Sequence, residues 1–319
     1  MGFGIWRNIS RARALRSDAI DPIRSIGFIG LGTMGAPMAR NLLKAGYRLR
    51  GFDVVPAALQ RLAEAGAATA ASPAEAARGA DCVITMLPNG SHVEAAMFGP
   101  QGASEALAAG ALYVDMSTIA PATTDAVARR LAARGTAMVD APVGRTSKHA
   151  EEGKLLIMIG ASAEALGRVR PVLERLGDTL VHCGPVGSGA RMKLVNNFMS
   201  ITANATTAEA LALAEASGLE PALARQVMLG TTAGLGHLAT TYPAKVLNGD
   251  LAPGFAVDLA HKDLLLALEL GESVGLALDT GRSARRAYDE ARAAGLGARD
   301  WTALYARARE QLRKKEHKQ

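Results

Sequence analysis

The stretch that most restricts this chain is Gly30-Leu-Gly32-Thr33-Met34-Gly35. It follows a short apolar run, Ser25-Ile-Gly-Phe-Ile, and leads into a helical segment from Ala36 to Ala45 that stops at Gly46. A second apolar run, Arg48-Leu-Arg-Gly-Phe, closes on Asp53. A bare Gly-x-Gly-x-x-Gly says little. Set between a strand and a helix, with an acid about 20 residues further on, it is the fingerprint of a dinucleotide-binding turn. Gly30 allows the tight turn, Gly32 lets backbone approach a pyrophosphate, and Gly35 lets the helix settle on the strand. The helix N-terminus then offers free N–H groups and a positive dipole end to phosphates. A carboxylate at Asp53 accepts from ribose hydroxyls and repels a 2′-phosphate, so NAD is the expected cofactor. Arg50, two residues earlier, is the one feature that would soften that preference.

Further alternation predicts a Rossmann-type α/β fold, a doubly wound and mostly parallel sheet. Cys82-Val-Ile-Thr-Met-Leu87 and Ala111-Leu-Tyr-Val-Asp115 read as buried strands, followed by Pro88-Asn-Gly and Met-Ser-Thr118. Ala137 to Asp140, Lys154 to Gly160 and Thr179 to Cys183 complete the sheet. From Gly187 onward only helical periodicity remains, with helices expected over 201–217, 221–229, 258–274, 283–294 and 301–313. The expected organisation is an extension over 1–24, disordered and set apart from the fold, a dinucleotide-binding domain over 25–186, and an all-helical domain over 187–319. A long central helix joins the last two, and the active cleft is expected between them, where pockets are common.

That central helix carries the second informative pattern. Lys193, Asn196, Asn197 and Ser200 fall three, four and seven residues apart, so they share one face. Leu194, Val195, Phe198, Met199 and Ile201 form an apolar face expected to pack inward. The polar stripe is either a solvated face or a site for a polar ligand. In the second case Lys193 is the group on it suited to acid–base work.

A third pattern lies in Asp140-Ala-Pro-Val-Gly144-Arg145-Thr146-Ser147-Lys148. A guanidinium and two hydroxyls after a glycine could cradle an anion, or form a solvated loop. Composition sets limits on the rest. Two cysteines, Cys82 and Cys183, inside apolar runs argue against a disulfide framework and fit a cytoplasmic chain. The formal charge of +6 is concentrated in the two tails, which argues against a nucleic-acid groove. No apolar run reaches membrane-spanning length. The six histidines show no metal-ligand spacing, and no metal is expected. His237 reads as structural rather than as an edge of the cleft.

On Gly30 to Gly46, Gly184 to Asn197 and Asp258-Leu-Ala-His-Lys262-Asp263, the chain resembles the β-hydroxyacid dehydrogenase family from about Ser25 to Arg307. The resemblance implies an NAD-dependent oxidoreductase acting on a small anionic aldehyde or hydroxyacid, working as a homodimer or homotetramer. It assigns Lys193 and Asn197 to catalysis, with Asn196 and Ser200 beside them on substrate. It places Leu87, Pro88, Thr118 and Lys262 against the cofactor with the turn residues Gly30 to Gly35. The family's usual Ser-Gly-Gly after Asp-Ala-Pro-Val is replaced here by Gly144-Arg145-Thr146-Ser147. That version is similar to the branch of the family that reduces a sulfonated aldehyde, where the arginine meets the sulfonate. The alternatives are a 3-hydroxyisobutyrate, γ-hydroxybutyrate or 2-hydroxy-3-oxopropionate dehydrogenase, and a catalytically silent binding module.

Overall fold

The computed structural model describes residues 22–237, 241–273 and 275–316. The expected extension falls largely on residues 1–21, outside the described part. Ile23 already belongs to the core, and the Arg24 and Ser25 N–H groups donate to Asp81. The chain divides into two units, Met1–Asn197 and Phe198–Gln319.

In the first unit the order is β1 (Ser25–Ile29), α1 (Gly35–Lys44), β2 (Arg48–Phe52), α2 (Pro56–Glu64), β3 (Ala68–Thr69), α3 (Pro73–Ala77), β4 (Cys82–Thr85) and α4 (Gly90–Phe98). There follow β5 (Leu112–Asp115), α5 (Pro121–Ala132), β6 (Ala137–Asp140), β7 (Val143–Gly144), α6 (Ser147–Glu151), β8 (Leu155–Gly160), α7 (Ala163–Leu173), β9 (Gly177–Gly184) and α8 (Ser188–Ala216). The nine strands form one sheet in the order β3-β2-β1-β4-β5-β6-β8-β7, with β9 also paired to β8. Strands β1 to β6 are parallel, as expected. Strand β8 runs antiparallel to β6 and β7 and parallel to β9.

Every residue of β4 and β5 is buried, as a parallel strand covered on both faces requires. Successive side chains feed opposite faces of the sheet. Phe28, Ile84 and Val114 pack with Met38 and Leu42 of α1 on one side. Ile29, Val83 and Tyr113 pack with Val93 of α4 and Val127 of α5 on the other. Each fully buried side chain of this size contributes roughly 1.5–3 kcal/mol relative to exposure. Chain order reverses at β1, which lies between β2 and β4, so the carboxyl ends of β1 and β4 border the crevice where ligands enter such sheets.

In the second unit, the remainder of α8 is followed by α9 (Pro221–Leu229), α10 (Thr232–Leu235), α11 (Thr241–Ala244), α12 (Val257–Ser273), α13 (Asp279–Ala293) and α14 (Ala303–Glu316). No strand is present among the described residues there, and the β-type pairing is an isolated antiparallel bridge, Ala256 to Asp300. His261 ties α12 to α13 by a 2.6 Å contact with Asp289. His237 sits edge-on to Trp301 at 4.6 Å and bonds Thr241, which is a structural setting. Among the described residues no helix is long and apolar enough to cross a membrane.

One expectation fails on α8. Leu194, Val195 and Met199 are 41%, 65% and 51% exposed rather than packed inward. An apolar face of this kind is the ordinary mark of an interaction surface.

Candidate active site

A cavity of about 610 Å³ opens at the β1–β4 crevice. Gly30, Gly32, Thr33, Met34, Gly35, Asp53, Leu87 and Pro88 line it, with Val54, Val55 and His92 beside them. The turn is built as the spacing requires. Gly30 has φ +97°, and a Cβ at Gly35 would fall 1.9 Å from the Gly30 carbonyl oxygen. A Cβ at Gly32 would meet open space, so that backbone is accessible to a ligand. No side chain caps the N-terminus of α1 and no acid stands in its first turn, which leaves the dipole end clear for phosphate.

Asp53 has a structural part in the turn. Its Oδ2 accepts from Leu31 N–H at 2.6 Å and its Oδ1 from Val55 N–H at 2.8 Å, so it also braces the turn. Arg50 leaves the crevice. Its guanidinium donates to the Glu75 carbonyl at 3.0 Å, which removes the cation that could have welcomed a 2′-phosphate. These features fit NAD: a bare helix terminus, an accessible glycine backbone and a carboxylate with lone pairs to spare.

Thr118 is exposed just beyond β5 and does not line the cavity. Its neighbour Ser117 carries a part that the sequence reading missed: the Ser117 hydroxyl accepts from Leu87 N–H at 2.9 Å and holds the wall of the cavity. Behind it Asp115 is buried, accepting from Thr85 Oγ1 at 2.9 Å and Ser117 N–H at 3.0 Å. Burial pushes its carboxyl up to about 6, against those bonds.

On α8, Lys193 is half-buried, and desolvation pushes its ammonium below the ordinary lysine range. Asn197 is half-buried and Asn196 exposed, joined by a long 3.4 Å contact. The side chains of Ser200 and Lys262 lie outside the described residues, although both residues are helical. Asp140 stands at the end of β6, and nothing in the sequence beside it signals its partners. Its Oδ1 accepts from Gly187 N–H at 2.6 Å and its Oδ2 from Ala190 N–H at 2.7 Å, at the start of α8.

The loop after Gly144 differs from a ready-made cradle. Arg145 is one of two non-glycine residues with positive φ among those described, at +73°. Its guanidinium meets Asp178 of β9 at 2.7 Å and Thr179 Oγ1 at 3.1 Å, and also bonds the Lys154 carbonyl. Thr146 turns to His149 at 2.9 Å, and Ser147 opens α6. A carboxylate 33 residues along the chain thus engages the fork, and His149 engages the Thr146 hydroxyl. The Thr179 hydroxyl, and then Arg145, hold the Asp178 carboxyl below the usual range.

A family model described as the NAD binding domain of 6-phosphogluconate dehydrogenase matches residues 25–184. A second, described as NAD-binding of NADP-dependent 3-hydroxyisobutyrate dehydrogenase, matches residues 187–308. The chain is 48% identical over 285 residues to a 3-sulfolactaldehyde reductase of Escherichia coli strain K12, covering 89% of this chain and 96% of the relative. It belongs to the 3-hydroxyisobutyrate dehydrogenase-like family. A 3-hydroxyisobutyrate dehydrogenase of Pseudomonas aeruginosa is 42% identical, over 82% of this chain and 90% of that one. Among solved structures, Mycobacterium tuberculosis 3-hydroxyisobutyrate dehydrogenase with L-serine superposes with a TM-score of 0.64 at 35% identity, covering 90% and 99% of the two chains. As a member of the 3-hydroxyisobutyrate dehydrogenase-like family, the protein is an NAD-dependent oxidoreductase.

Proposed function

We propose that this enzyme reduces 3-sulfolactaldehyde to 2,3-dihydroxypropane-1-sulfonate, with NADH as reductant and Lys193 as proton donor. The substrate assignment is carried by the 48% identity to the Escherichia coli reductase, against 42% to the Pseudomonas 3-hydroxyisobutyrate dehydrogenase. Bound in the crevice, NADH supplies two electrons and a hydrogen to the carbonyl carbon. This chain's residues do the rest. Lys193 as ammonium gives a proton to the developing alkoxide, so the aldehyde becomes a primary alcohol. Desolvation lowers its pKa towards working pH, which suits a general acid. Asn197 donates to the same oxygen, and Asn196 and Ser200 hold neighbouring hydroxyls. Lys262 and Thr118 belong on the cofactor side.

Gly144, Arg145, Thr146 and Ser147 take the anionic end. A sulfonate has three oxygens in a tetrahedral array, and a planar fork beside two hydroxyls suits it. In this reading the sulfonate displaces or shares Asp178 at the fork. The open apolar face of α8 supports a homodimer or homotetramer, which light scattering on the purified chain reads directly. We also place the enzyme in the cytoplasm.

The decisive experiment follows NADH absorbance with 3-sulfolactaldehyde, methylmalonate semialdehyde and succinate semialdehyde. The sulfonate should give the highest kcat/KM. Equal or better turnover of either carboxylate would replace the sulfonate reading by 3-hydroxyisobutyrate or γ-hydroxybutyrate dehydrogenase.

A further inference from the structure

The start of α8 is held by a strand end rather than by its own sequence. Helices leave their first N–H groups without partners, and a local Ser, Thr, Asp or Asn usually accepts them. Here the acceptor is Asp140, 47 residues before Gly187 and 50 before Ala190. The approach is close on every side. A Cβ at Gly189 would fall 2.4 Å from the Met158 carbonyl oxygen and 2.9 Å from that of Asp140. A Cβ at Gly160, paired with Asp140 across β6 and β8, would fall 2.2 Å from Asp140 Oδ1. The first turn of α8 therefore rests directly on the ends of two strands, with the carboxylate clamped between them.

Lys193 lies four residues beyond Gly189 and three beyond Ala190, on the same helix face. Helical side chains lean towards the N-terminus and cover the preceding turn. The Lys193 side chain thus reaches back over the turn that Asp140 holds. We infer that Asp140 is a positioning residue for the reaction, fixing the height and rotation of α8 and through them the Lys193 ammonium. The inference rests on the reading of Lys193 as proton donor. A carboxylate suits the task because both oxygens accept. An amide would turn an NH2 towards one of the two N–H groups. A misplacement of about 1 Å at a reacting group is enough to cost about a hundredfold in rate.

The test is a double-substitution cycle. Asp140→Asn and Asp140→Ser are each made alone and with Lys193→Ala; both remove the carboxylate, and the serine variant also shortens the side chain. kcat at saturating 3-sulfolactaldehyde, or succinate semialdehyde if that is turned over faster, is measured with the NADH dissociation constant and the melting temperature. Each Asp140 variant should lose about 10- to 100-fold in kcat while NADH affinity stays within about twofold. In the Lys193→Ala background the same substitutions should change kcat by less than about twofold, since the group they misplace is gone. An equal loss in both backgrounds, or a loss confined to NADH affinity, would overturn the proposal. So would two Asp140 variants that do not fold at the assay temperature, which would leave Asp140 a role in stability alone. The single variant Lys193→Ala, read by itself, tests the proton-donor reading. If it retains more than a tenth of wild-type kcat, that reading falls first and takes the inference with it.

Discussion

Lys193 is half-buried on α8, and desolvation holds its ammonium below the ordinary lysine range. If it is the acid, Lys193→Ala should lower kcat by roughly two to four orders of magnitude while NADH affinity barely moves. The direction of its pKa gives a second expectation. Reduction needs the ammonium, so kcat for reduction should fall at a lower pH than an ordinary lysine would allow, and alcohol oxidation should rise through the same pH. Profiles without those opposed limbs would exclude Lys193. At Asp53 the expectation concerns the coenzyme. With Arg50 turned to the Glu75 carbonyl, NADH should exceed NADPH by at least about tenfold in kcat/KM, or about 1.4 kcal/mol. Equal efficiency would defeat it. At this scale the sequence was readable where spacing alone fixes geometry, as with Gly30, Gly35 and Asp53. It was silent where a partner comes from a distant strand. Nothing around Arg145 announces Asp178, and nothing around Asp140 announces Gly187 and Ala190.

Among elements, the loop joining β7 to α6 is where substrate choice is expected to reside. Arg145 holds it against β9 through Asp178 and Thr179, in a backbone conformation uncommon for a residue with a Cβ. Arg145→Ala should reduce kcat/KM for 3-sulfolactaldehyde by about 2–4 kcal/mol, the scale for removing a charge-assisted bond to a desolvated anion. Arg145→Lys should restore only part of it, since a point charge lacks the fork. An uncharged aldehyde of similar size should lose less. Equal losses on charged and uncharged substrates would assign Arg145 to the loop's shape instead. Element existence was legible because hydrophobic period separates strand from helix. Direction was not: a strand buried on both faces reads the same either way, so the antiparallel course of β8 had no signal. The two-residue strands β3 and β7 are too short to carry a period. The inner face expected of α8 shows the opposite limit, since an apolar stripe does not say whether the fold covers it.

For the molecule as a whole, one pattern recurs along the carboxyl edge of the sheet. Asp53 follows β2 and holds Leu31 beyond β1; Asp115 ends β5 and, with Ser117, holds Leu87 beyond β4; Asp140 ends β6 and holds α8. Asp115 is the costly member, with its carboxyl pushed from 3.8 to about 6 by burial. Its raised value means the native state keeps a proton that the unfolded chain has already released between pH 4 and 6. Stability should therefore fall as pH rises through that window, by up to about 3 kcal/mol. Asp115→Asn should flatten the slope in urea titrations across those pH values, leaving the part owed to Asp140, whose carboxyl burial also raises. An unchanged slope would deny Asp115 the titration. The edge has a consequence for anyone seeking to re-engineer coenzyme use. Because Asp53 grips the Leu31 and Val55 N–H groups, exchanging it for a small neutral residue to admit NADPH also unfastens the glycine turn on which either coenzyme would rest. A successful redesign has to supply a new acceptor for those two donors at the same time as a cation for the extra phosphate.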